Sequence, residues 1–99
     1  MNQIIRGWKL HLRSDLSLEE LAKWTNPILR GWVNYYGRFY KTALYPVFYH
    51  LNETLTRWVK RKYKKFRQKF QRAIRLLGKI AKKQPRLFAH WEFGFEPTA

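Results

Sequence analysis

From Leu44 onward the apolar side chains of this chain recur with a helical period. Leu44, Val47, Phe48, Leu51, Leu55, Trp58 and Val59 follow one another in steps that place them on one face of an α-helix. Phe66, Phe70, Ala73, Ile74, Leu77 and Ile80 keep the same period, although the residues between them are nearly all Lys, Arg and Gln. Upstream, Ile4, Ile5, Trp8 and Leu12 outline a short amphipathic helix, and Ile28, Leu29, Trp32, Tyr35, Tyr36 and Phe39 fall on one helical face. A strand alternates with a period of two, and no such run competes. The expected fold is therefore all-α, an irregular bundle of four or five short helices.

Local signals set the expected boundaries. Ser14-Asp15 breaks the first helix, and Ser17-Leu18-Glu19-Glu20 has the form of a capping box, so a new helix starts at about Leu18. At Asn26-Pro27 a restart or kink is expected, with Asn26 as N-cap and Pro27 in the first turn of the next helix. Gly31 is expected to permit close approach of a neighbour. Residues 37–42 read as a connection, Tyr45-Pro46 lies near the start of the following helix, and Gln84-Pro85 ends the last one. The aromatic tail, residues 87–95, is expected to fold back and complete the core. Residues 1–99 then form a single domain, built on helices that begin near Leu18, Pro27, Leu44 and Phe66.

Five Trp, six Tyr and seven Phe are too many bulky side chains for a disordered basic tail. Trp32, Phe39, Phe48, Trp58, Phe66 and Phe70 are assigned to the interior. Cys is absent, which excludes a disulfide framework and thiolate metal sites. No apolar run approaches the roughly 20 residues of a membrane span, and residues 1–12 lack the apolar core of a signal peptide. A soluble chain with no membrane partner is expected.

Catalysis finds little support. Asp15, Glu19, Glu20, Glu53, Glu92 and Glu96 form no Asp-x-Asp or Glu-x-x-His spacing, and His11, His50 and His90 are far apart in sequence. Gly31 and Gly37 flank helix-forming residues instead of a phosphate loop. The expectation is no enzyme activity, no metal and no cofactor. His90, beside Trp91, reads as a structural histidine. Asn34 either reads a base edge or ties down a loop.

Charge is the stronger signal. The chain carries 21 Lys and Arg against six acids, a net +15. Arg57, Lys60, Arg61, Lys62, Lys64, Lys65, Arg67, Lys69, Arg72, Arg75, Lys79, Lys82, Lys83 and Arg86 follow one another with no acid between residues 54 and 91. Solubility alone is reached with mixed signs and less self-repulsion. A footprint for a phosphate backbone is preferred to a solvated face and to an anionic membrane surface. Within the block the RNA-binding candidates run from Arg57 to Arg72, and Tyr40 and Tyr63, set among cations, are the candidates for stacking on bases. Counterion release acts on RNA and DNA alike, so a helical DNA-binding module stays open.

The stretch from Leu21 to Phe39, with Asn26-Pro27, Arg30-Gly31-Trp32 and Asn34-Tyr35-Tyr36 at its centre, resembles the signature of the group II intron maturase-specific domain. Residues 51–64, running into Arg57-Trp58-Val59-Lys60-Arg61-Lys62, and the closing Leu87-Phe88-Ala89-His90-Trp91 agree with that resemblance. It implies a thumb-like helical domain, usually placed after a reverse transcriptase, that grips group II intron RNA and stabilises its splicing-competent fold while the RNA performs the chemistry. The implied RNA-contacting role falls on Arg30 and Arg38, with Lys41 just beyond them, and on the basic block from Arg57. These 99 residues contain no polymerase palm with paired aspartates and no Cys- or His-rich endonuclease module. The sequence is expected to be the maturase domain alone, encoded separately or excised, with a reverse transcriptase domain as partner in cis or in trans. A purely structural thumb packed on a polymerase is the alternative. The expected location is the bacterial cytoplasm, with an organelle as the alternative.

Overall fold

A computed structural model describes residues 2–13, 15–63 and 67–97, and every regular element among the described residues is helical, with no strand. In chain order they form α1 (Asn2–Trp8), a 3₁₀ turn (Leu10–Leu12), α2 (Leu18–Phe39), α3 (Lys41–Lys62), α4 (Phe70–Lys83) and the short α5 (Ala89–Glu92). The capping box forms as expected: Ser17 Oγ accepts from the Glu20 N–H at 3.1 Å, and the Glu20 carboxylate accepts from the Ser17 N–H at 3.0 Å. These bonds to Ser17 hold the Glu20 carboxyl below its ordinary pKa.

Two boundary expectations are corrected. Asn26-Pro27 does not restart a helix, because α2 runs unbroken from Leu18 to Phe39 with Pro27 inside it. A proline there removes the N–H that the Lys23 carbonyl would accept from, a change that costs about 3 kcal/mol in an isolated helix. Burial of Leu21, Ala22, Thr25 and Leu29 on either side, and tertiary bonds made by Asn26, outweigh it. Nor are residues 37–42 a connection. Tyr40 alone, at φ −135° and ψ 50°, separates α2 from α3.

Helix α3 is the centre of the fold and packs against α1, the 3₁₀ turn, α2 and α4. Its burial accordingly exceeds a single stripe, with Leu44, Phe48, Leu51, Leu55 and Trp58 joined by Asn52, Thr54 and Thr56. The two threonine hydroxyls donate to the carbonyls of His50 and Asn52 one turn earlier, so neither is buried without a partner. Trp8 stacks on Trp32 at 5.9 Å and leans on Trp24, which fixes α1 to α2. On α4, Ala73, Ile74, Leu77 and Ala81 are buried, while Arg72, Arg75, Lys79, Lys82 and Lys83 are exposed on the remaining circumference. The tail folds back as expected: Phe88, His90 and Trp91 are buried.

The aromatic assignments need correction. Phe48 and Trp58 are interior, but Phe39 is 72% exposed and Tyr35 64% exposed. The face of α2 that meets the core carries Leu29, Val33, Tyr36 and Gly37, spaced by four, three and one. Tyr35 and Phe39 lie about a third of a turn round the helix from it. Ile28 is exposed for the same reason, and Trp32 is half-buried. Phe70 is also partly exposed, with the Lys60 ammonium 5.7 Å from its ring centre. Phe66, the expected start of the last stripe, lies outside the described residues, and α4 begins at Phe70. On α2 the close approach is at Gly37 instead, where an added Cβ would meet Phe93 at 3.3 Å, and on α4 at Gly78, where it would meet the Pro97 carbonyl oxygen at 3.1 Å; nothing lies within 4 Å at Gly31.

Candidate nucleic-acid interface

The second half of α3 buries Leu55, Trp58 and Val59, which turns Arg57, Lys60 and Arg61 outward at a spacing of three and one. Beyond the helix Arg67 comes to the same place, and His11 reaches it from the 3₁₀ turn. These five residues line an open concavity of about 270 Å³, with no carboxylate among the described residues of its wall. Lys69, Arg72, Arg75, Lys79, Lys82, Lys83 and Arg86 are exposed along and beyond α4. The first turn of α4 holds no acid, so the partial positive charge of its N-terminus is met by further cations.

Not every cation of the block is free. Lys62 Nζ donates to the Leu16 carbonyl at 2.8 Å and lies 5.0 Å from the Trp58 ring centre, while Trp58 Nε1 donates to the Arg13 carbonyl at 2.9 Å. Together they tie the loop ahead of α2 to the end of α3. Tyr63 stands edge-on to Trp58 at 6.3 Å and is 43% exposed. Lys64 and Lys65 lie outside the described residues.

Arg30, Arg38 and Lys41 do not join the concavity around Arg57. Arg30 lines a separate depression of about 300 Å³ with Val33, Asn34, Ala89, Glu92 and Phe93. Arg38 is exposed near the end of α2, and Lys41 Nζ sits 5.5 Å from the Phe93 ring centre. Tyr40 is 62% exposed at the junction of α2 and α3.

Two asparagines position the tail. Asn26 Nδ2 donates to the Leu87 carbonyl at 2.8 Å, and Asn26 Oδ1 accepts from the Ala89 N–H at 2.9 Å. Asn52 Oδ1 accepts from His90 Nε2 at 2.7 Å and Trp91 Nε1 at 3.0 Å, while its Nδ2 donates to the Phe95 carbonyl at 2.9 Å. His90 therefore carries its proton on Nε2, and burial drives its pKa down to about 3, so the ring is neutral. That fits the structural reading of His90. The pKa of His50 is also lowered, by burial and by Arg6 and Arg57, against the opposing pull of Glu53.

Sequence reasoning missed Asn52 and His11. Asn52 had a signal, because it lies on the apolar stripe between Phe48 and Leu55, where an amide must find partners. His11 had none, since its place beside Arg57 depends on how the 3₁₀ turn docks on α3.

Residues 1–77 match the sequence model of the group II intron, maturase-specific domain. The tail that Asn26 and Asn52 hold lies wholly beyond the matched residues. Among curated proteins and solved structures no match is found.

Proposed function

The chain belongs to the group II intron maturase-specific domain family, whose role lies in group II intron splicing, and from that premise we propose that it acts as a non-catalytic grip on intron RNA. The concavity lined by Arg57, Lys60, Arg61 and Arg67 takes backbone phosphates, and the outward cations of α4 extend the contact. Holding the RNA in its splicing-competent fold is the protein's part. The RNA carries the cleavage and ligation chemistry, and a reverse transcriptase domain works alongside, in cis or in trans.

The convergence at that concavity carries this reading. Four cations from α3 and the segment before α4 meet without a compensating acid among the described residues, and the cationic start of α4 adds to the same field. Like charges gathered this way repel one another, and a polyanion relieves the repulsion while releasing its own counterions. No step of this role asks a side chain of the protein to make or break a bond.

A salt titration of binding to structured intron RNA tests the proposal. With about five to eight phosphates engaged, log affinity falls with log salt at a slope of roughly −0.7 to −0.9 per phosphate. The triple substitution Arg57→Gln, Arg61→Gln and Arg67→Gln flattens that slope by about two to three units and leaves the fold intact. A salt-independent affinity refutes the proposal. Equal competition by duplex DNA at matched salt favours the DNA-binding alternative.

A further inference from the structure

The exposed end of the α2–α3 hairpin carries three large rings that the core does not use. Tyr35, Phe39 and Tyr40 are 64%, 72% and 62% exposed. Loose packing is not the cause, because the same turns of α2 are seated through Val33, Tyr36 and Gly37, the last against Phe93. Helix phase sends Tyr35 and Phe39 to the outside, and Tyr40 leaves the helical cylinder as the linking residue.

We propose that Tyr35, Phe39 and Tyr40 form a stacking platform for unpaired bases of the RNA, with Arg38 at its edge taking the adjoining phosphate. This inference rests on the RNA-binding reading above and adds to it a second surface that engages bases instead of backbone.

Spacing, bracing and charge support it. Residues four apart on a helix are offset by about 6 Å along the axis. Tyr35 and Phe39, one turn apart on the exposed side of α2, thus offer two neighbouring rings on which bases can stack. Tyr36 stands edge-on to Tyr35 at 4.9 Å and braces that ring, so little of its freedom is lost on binding. Between Glu20 and Glu53 the sequence has no acid, only Lys23, Arg30, Arg38 and Lys41. A second copy of this chain is opposed at that surface by its own +15 charge.

The test uses the full chain and two RNAs at matched salt, a hairpin with an unpaired loop and a fully paired duplex. The Tyr35→Leu/Phe39→Leu variant keeps apolar bulk and helix propensity but removes both π faces. It is expected to lose roughly 5- to 150-fold in affinity for the looped RNA per base stack removed, with duplex affinity and salt slope unchanged. The ring-preserving variant Tyr35→Phe/Phe39→Tyr binds both RNAs as the wild type does. Wild-type affinity of the leucine variant for looped RNA overturns the platform while leaving the phosphate grip standing. An equal loss on both RNAs also overturns it, as does intact RNA binding with loss of a protein partner. If the unaltered chain binds neither RNA at any salt, platform and grip fall together.

Discussion

The Nε2–H of His90 donates to Asn52 Oδ1 at 2.7 Å inside the core, joining residues 38 positions apart. The bond selects the Nε2–H tautomer of the neutral ring and leaves Nδ1 buried without a protein partner. Protonating the ring would place a charge in an apolar enclosure formed with Phe48, Phe88 and Trp91.

Stability should therefore depend on pH in a defined direction. The unfolded chain protonates His90 near pH 6.5, whereas the folded chain resists until about pH 3. Between those values the unfolded state binds the extra proton, so stability falls as pH falls, by up to about 1.4 kcal/mol per pH unit. His50, also lowered, adds in the same direction. Urea unfolding at pH 7.5, 6.5, 5.5 and 4.5 measures the slope. His90→Gln should flatten it; an unchanged slope would show that the dependence arises elsewhere.

Asn26→Ala should destabilise by about 1–3 kcal/mol, because it leaves the Leu87 carbonyl and the buried Ala89 N–H without their partner. The loss should be felt first in the tail. Limited proteolysis around residues 85–90 should accelerate before global unfolding is detected.

Lys62 and Arg61 are neighbours with opposite expected phenotypes. Lys62→Gln breaks the bond to the Leu16 carbonyl and should lower stability by about 1 kcal/mol while changing the salt slope of RNA binding little. Arg61→Gln should leave the melting temperature unchanged and weaken RNA binding. Thermal melts paired with salt titrations separate the two.

Gly31→Ala should stabilise α2 by roughly 0.5–1 kcal/mol, since the added Cβ meets nothing within 4 Å and the helix interior favours alanine. Denaturant midpoints measure the gain. Lower stability would mean that the backbone at Gly31 needs the freedom of glycine.

Phe48→Ala should cost about 3–5 kcal/mol, as expected for a fully buried ring. Trp32→Ala should cost less, because Trp32 is only half-buried and loses chiefly its stack on Trp8. Chemical denaturation of both variants under one condition orders them.

Helix type, the cap at Ser17 and the central stripe of α3 were legible because each depends on neighbours within one or two turns. Leu44, Phe48, Leu51 and Leu55 lie on one face whatever packs against it, and Ser17 and Glu20 satisfy each other locally. Asn26-Pro27 misled for the opposite reason. Its local preference is for a helix start, and bonds to Leu87 and Ala89, some 60 residues away, override that preference.

The run of cations was visible in the sequence, since charge needs no fold to be counted. Tertiary structure decided which of those charges act together. Packing of the 3₁₀ turn on α3 brings His11 beside Arg57, the Leu16 carbonyl removes Lys62 from the outward set, and Arg30 and Lys41 go to the tail side instead. The aromatic face of α2 was decided in the same way. Period alone places Tyr35 and Phe39 near Leu29 and Tyr36, but a difference of about a third of a turn separates solvent from core, and the docking of the tail against Val33 and Gly37 sets which side is which.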